Sequence, residues 1–94
     1  RAASPTFGSW IGTELSADNR RQLWVPPGCA HGFLATSEFA ECLYKTTEYW
    51  SPPHERTLLW NDPQLAIAWP LEGEPVLSEK DRAGTPFAHA EVFA

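Results

Sequence analysis

Proline pairs set the tightest limit on what this chain can form. Pro26-Pro27-Gly28 and Ser51-Pro52-Pro53 each place two consecutive residues without a main-chain donor. Neither a helix interior nor a central strand passes through such a pair, so both sites read as loops. With nine prolines and six glycines in 94 residues, the chain is cut into short segments. Within those segments β-formers and alternation dominate, and no stretch before residue 78 carries a helical period.

Six short strands are expected. They are Trp10 to Leu15, Arg21 to Val25, His31 to Thr36, Ala40 to Thr47, Thr57 to Trp60 and Leu65 to Trp69. The turns between them fall at Ser16-Ala17-Asp18-Asn19, Pro26-Pro27-Gly28, Ser37-Glu38 and Asn61-Asp62-Pro63, with an irregular break over residues 48–56. Strands at spacings of about 8–12 residues predict an all-β sandwich or barrel. Ser78-Glu79-Lys80-Asp81 has the form of a helix start, with Ser78 as N-cap and Gly84 as stop, so a short helical segment is expected near residues 78–84. The tail from Phe87 to Phe93 is compatible with helix or coil. Residues 1–94 suit one small domain. Such a sheet would leave strand edges and one apolar face open, so the chain is expected to dimerise or to be part of a longer barrel.

Charge narrows the function classes. Seven basic residues stand against twelve acidic ones, a net charge of −5, and the longest basic run is Arg20-Arg21. That is not the electrostatic footprint of a nucleic-acid binder. The apolar stretches are four or five residues long, far below the roughly 20 that cross a bilayer. Arg1-Ala2-Ala3-Ser4-Pro5 lacks the apolar core of a signal peptide, which makes cytoplasm the default expectation. Cys29 and Cys42 form no close pair; they read as buried reduced thiols, with a disulfide or a catalytic thiol as alternatives. Five tryptophans, five phenylalanines and two tyrosines suit either a packed β core or a cleft lined with flat rings. Trp10, Trp24, Trp60 and Trp69 read as core or interface aromatics.

Seven segments, taken in order and spacing, carry a resemblance: Ser4-Pro5-Thr6-Phe7-Gly8, Glu14-Leu15-Ser16-Ala17, Arg21-Gln22-Leu23-Trp24-Val25-Pro26, Ala30-His31-Gly32-Phe33, Leu43-Tyr44-Lys45-Thr46-Thr47, Trp60-Asn61-Asp62 and Leu77-Ser78-Glu79-Lys80-Asp81. Together they resemble the second half of the dTDP-4-dehydrorhamnose 3,5-epimerases. The resemblance implies the C-terminal part of a cupin jelly-roll barrel, commonly a homodimer, that needs no metal or other cofactor. It also implies inversion of C3 and C5 of a 4-keto-6-deoxy sugar carried on dTDP. Such chemistry requires a base that removes a proton α to the ketone, a donor near the ketone oxygen, and an acid on the opposite face.

By that resemblance Tyr44 is the general acid, and Asp81 is the aspartate that orients the base histidine, by the logic of a His–Asp dyad. His31, Glu55 and Lys80 are implied substrate contacts, and Trp50 takes the place of an aromatic that stacks on thymine. The bland readings are a rim tyrosine for Tyr44, a helix-start aspartate for Asp81, a solvated Lys80 and a packing aromatic at Trp50. Lys45 reads as surface, and His54 and His89 as surface residues without partners. The family's base histidine stands in a Leu-Arg-Gly-Leu-His segment that this sequence does not contain, so little epimerase activity is expected from these residues alone. Isolated histidines at 31, 54 and 89 do not make a cupin metal set. Two alternatives stay open: a non-catalytic dTDP-sugar-binding fragment, and a related 3- or 5-epimerase or ketoisomerase of another dTDP-4-keto sugar.

Overall fold

A computed structural model describes residues 1–94. It overturns the all-β expectation: the chain contains no strand, and its single β-bridge is a parallel one between Leu58 and Thr85. The cupin barrel is therefore not the architecture of this chain. The reason lies in how strands are held. Alternation assigns each side chain to a face, but a strand exists only when a second segment accepts its main-chain bonds. Residues 10–15, 21–25, 31–36 and 40–47 make no main-chain to main-chain hydrogen bond at all. The whole chain has 19 such bonds, against roughly 60 in a folded domain of this length.

The turns appear where the sequence places them, because their bonds close over a few residues. At the first, Asn19 Oδ1 accepts from the Ser16 and Arg21 N–H groups, and Ser16 Oγ accepts from the Asn19 N–H, each at 3.0 Å. At the second, the Cys29 N–H reaches the Pro26 carbonyl at 3.3 Å, and Gly28 stands at φ +91°, the left-handed position that a Pro-Gly turn of this kind requires. Residues 52–54 form one 3₁₀ turn, Pro52–His54, and the undecided tail holds another, Phe87–His89.

The expected helix is present as α1, Glu79–Arg82. Ser78 Oγ accepts from the Asp81 N–H at 3.1 Å, satisfying one of the free donors of the first turn. Gly84 does not end α1 by adopting a left-handed conformation; Ala83 is the C-cap, at φ −89°. Glycine is needed at 84 for closeness. A Cβ there would lie 2.6 Å from the Leu58 carbonyl oxygen and 2.8 Å from Leu59 Cα, both main-chain atoms that cannot swing aside.

Organisation is concentrated in two strips that run side by side. Thr85 donates to the Thr57 carbonyl at 2.8 Å and accepts from the Leu59 N–H at 2.9 Å. Around this crossing Leu58, Leu59, Trp60, Leu65, Ile67, Trp69 and Phe87 are half-buried. Trp69 Nε1 donates to the Trp60 carbonyl at 2.8 Å, and Phe7 tilts against Phe87 with ring centroids 5.1 Å apart. Asp62, 4% exposed, is the single buried residue of the chain.

Outside this cluster the apolar side chains lie open, and the accessible surface is 8875 Å², against about 5400 Å² for a folded monomer of 10.5 kDa. Trp60 and Trp69 keep their reading as packing aromatics. Trp24, at 78% exposed, and Trp10, also exposed, are not core aromatics, which leaves the interface alternative for both. Both cysteines are free and exposed rather than buried.

Candidate functional site

The exposed arm over residues 35–56 and the strip that carries α1 bring three of the sequence-predicted residues, Trp50, Glu55 and Lys80, into one chain of contacts. Lys80 Nζ donates to Glu55 Oε1 at 2.6 Å, closing an ion pair across 25 residues of sequence. Trp50 Nε1 donates to the other oxygen, Glu55 Oε2, at 3.4 Å. The 3₁₀ turn Pro52–His54 between Trp50 and Glu55 folds the chain back so that the Trp50 indole reaches the Glu55 carboxylate. Proline at the first position suits such a turn, since its missing N–H would have no partner there.

Tyr44 joins from the other side. Its phenol lies near enough to Lys80 to favour the charged ammonium, and its ring meets His31 edge-on with centroids 6.5 Å apart. Contacts thus join Trp50, Glu55 and Lys80 in one exposed group and His31 and Tyr44 in another, with the Tyr44 phenol acting on the Lys80 charge. Asp81, next to Lys80 on α1, commits its main-chain N–H to the Ser78 cap while its carboxylate makes no hydrogen bond within the chain. The helix-start role and a free carboxylate coexist at this residue.

Electrostatics follow from the pairing. The hydrogen bond from Lys80 holds the Glu55 carboxyl below its usual range, opposed by partial desolvation and assisted by Trp50. The same bond raises Lys80, with Asp81 and Tyr44 adding smaller contributions. The two groups therefore present a fixed carboxylate, an ammonium, a phenol, an imidazole and an indole face. Such a set suits a ligand with an anionic group, a carbonyl oxygen and a flat ring.

Two features escaped the sequence reading. His54 has a partner, since its Nδ1 and Ser51 Oγ lie 2.8 Å apart. The spacing of serine and histidine around Pro52-Pro53 was a visible signal for it. Asp62, read only as part of a turn, accepts from the Gln64 N–H at 2.8 Å and the Leu65 N–H at 3.0 Å through Oδ1, and from the Phe87 N–H at 2.8 Å through Oδ2. No local signal marks the third bond, because its donor lies 25 residues away.

A sequence profile described as dTDP-4-dehydrorhamnose 3,5-epimerase matches residues 1–89. The chain belongs to the dTDP-4-dehydrorhamnose 3,5-epimerase family. Among curated members of the family, a protein of that name from Pseudomonas aeruginosa is 60% identical over 93 residues, which cover 99% of this chain and 51% of the relative. One from Salmonella typhimurium is 57% identical over 88% of this chain and 45% of its own length. One from Neisseria gonorrhoeae is 54% identical over all of this chain and 29% of its own length. This epimerase-family chain spans about half the length, or less, of the curated relatives it matches.

Proposed function

We propose that this chain supplies the ligand wall and the proton-donating side of an epimerase acting on dTDP-4-dehydro-6-deoxy-D-glucose, inverting C3 and C5 on the route to dTDP-rhamnose. The observation that carries this reading is the convergence of Trp50 and Lys80 on the Glu55 carboxylate, together with the His31–Tyr44 ring contact and the effect of Tyr44 on the Lys80 charge. Trp50 offers an exposed indole for stacking on thymine. In this reading Lys80 and His31 contact a sugar oxygen or phosphate, and Tyr44 is the acid that returns a proton to the carbanion face. Asp81, whose carboxylate makes no hydrogen bond within the chain, is the residue that orients a base histidine in this reading. The family relationship supports the substrate class.

The first test is binding of dTDP followed by Trp50 fluorescence. The second is NMR of dTDP-4-dehydro-6-deoxy-D-glucose in D₂O, read as deuterium incorporation at C3 and C5. Saturable quenching that Trp50→Ala abolishes supports the wall. Absence of binding in the wild-type chain would refute it.

One observation favours the narrower reading, a dTDP-sugar-binding segment without turnover of its own. None of the three histidines lies against Asp81: His31 meets Tyr44, His54 meets Ser51, and His89 ends the 3₁₀ turn Phe87–His89. Binding without deuterium exchange, with exchange restored by a separately supplied segment bearing the base histidine, is the result this reading requires.

A homodimer and a cytoplasmic setting complete the proposal. Ile11, Trp24, Leu43, Tyr49 and Val76 are all more than three-quarters exposed, an apolar surface that association would cover. Sedimentation analysis giving only the 10.5 kDa species would rule the dimer out. No helix is long and apolar enough to cross a membrane.

A further inference from the structure

The two strips of the organised cluster run parallel and are tied at three levels. Glu55 meets Lys80 at one end, Leu58 bridges Thr85 in the middle, and Asp62 takes the Phe87 N–H at the other end. The first and third ties join residues 25 apart in sequence. The middle tie is main chain and depends on residue type only through the close approach that Gly84 allows. The first is an exposed ion pair, and exposed pairs do not by themselves hold two backbones in place. The third is different. Asp62 is 4% exposed, and its two oxygens serve opposite ends of a clamp. Oδ1 closes the local turn onto Gln64 and Leu65, while Oδ2 reaches across to Phe87. The turn is locked further by the Asp62 N–H on the Leu59 carbonyl at 3.2 Å and the Ala66 N–H on the Asp62 carbonyl at 2.9 Å.

We propose that Asp62 is a positioning residue for the Glu55–Lys80 pair, because its bond to the Phe87 N–H sets the register in which the strip carrying α1 lies along residues 55–62. Register is what the pair needs. At the crossing, sliding is resisted by two main-chain bonds and by the close approach that only glycine allows at position 84, and the Asp62 bond is the side-chain tie that acts with them. A slip by one residue would carry Lys80 away from Glu55 and turn Asp81 from its present bearing. This inference rests on the reading of Trp50, Glu55 and Lys80 as a ligand wall only for its functional consequence; the register clamp itself stands on the hydrogen bonds.

The experiment uses the 94-residue chain and two substitutions that keep the local turn while cutting the long tie. In Asp62→Asn the side-chain carbonyl still accepts from Gln64 and Leu65, but an amide NH₂ faces the Phe87 donor. In Asp62→Ser the hydroxyl still caps the turn but is too short to reach Phe87. Asn19→Ala, which removes a three-bonded turn remote from the site, is the control for general loosening.

Two NMR signals report on the pair: the cross-peak between the Lys80 ε and Glu55 γ protons, and the titration of the Glu55 carboxyl. In both Asp62 variants the cross-peak is expected to vanish, and the Glu55 midpoint to rise to the ordinary 4.5. Amide signals of the Ser16–Asn19 turn stay in place, and Asn19→Ala leaves the pair untouched. Affinity for dTDP falls with the pair, by roughly tenfold for one charge-assisted contact.

An intact cross-peak in either Asp62 variant overturns the proposal. So does loss of the Ser16–Asn19 turn in those variants, or an equal disturbance by Asn19→Ala, since either would mark a general structural role. Failure of the wild-type chain to bind dTDP refutes the ligand wall instead, and the two NMR signals then decide the clamp without it.

Discussion

Lys80 Nζ rests 2.6 Å from Glu55 Oε1, and this single contact joins the helix start of α1 to the arm that carries Trp50. Neither residue is buried, with side-chain exposures of 59% for Lys80 and 35% for Glu55. Water screens such a pair, so it contributes geometry more than stability.

The pair should have a pH window with two edges. Glu55 is depressed, so its contribution is present above the ordinary 4.5 and is lost as pH falls through the native value below it. Lys80 is raised, so its contribution is present below the ordinary 10.5 and is lost as pH rises through the native value above it. Glu55→Gln should bring the Lys80 titration back to about 10.5 while leaving the thermal midpoint nearly unchanged. Side-chain NMR of Lys80 against pH reads both; an unmoved Lys80 midpoint in the variant would show that the pair does not persist in solution.

Gly84→Ala should damage the crossing of the two strips. A Cβ at 2.6 Å from the Leu58 carbonyl oxygen must push main chain apart, so the Thr85 N–H bond to Thr57 weakens. Forced overpacking of this kind costs about 1–3 kcal/mol. Urea unfolding followed by the fluorescence of Trp60 and Trp69 measures it, and equal midpoints would mean that the strips are not in contact.

Ala66→Gly should act in the opposite direction. Ala66 holds φ +50° inside the Asp62 turn, where a side chain costs roughly 1–2 kcal/mol. Glycine removes that strain but adds about 0.4–1 kcal/mol of unfolded-chain entropy. The net expectation is a gain of about 0.5–1 kcal/mol. A decrease in the same urea experiment would show that the left-handed residue is not maintained.

Tyr44→Phe separates acid from base. In an assay where the base histidine is supplied, the variant should lose C5 inversion yet still exchange α protons with D₂O, because base and acid are different groups. The readout is product stereochemistry beside deuterium content. Unchanged product formation would remove Tyr44 from the acid role.

The parts of the molecule legible in the sequence are those whose bonds close over a few residues. Ser16 to Asn19, Pro26 to Cys29 and the Ser78 cap of α1 all follow from residue type, because donor and acceptor are neighbours in the chain. Family membership was legible for a related reason: motifs in fixed order survive in the sequence whether or not the chain packs. The strands were not. Alternation in Ala40 to Thr47 names two faces but no partner, and the chain offers that segment none.

Trp50, Glu55 and Lys80 could be named from sequence, but their meeting could not. That Lys80 falls on Glu55 depends on how two distant segments lie together, through Gly84 against Leu58 and Asp62 against Phe87. Local chemistry determined the turns, the helix start and the family of this protein. Only tertiary structure decided which segments pair and which side chains meet, because long-range contacts must overcome loop-closure entropy that no local pattern records.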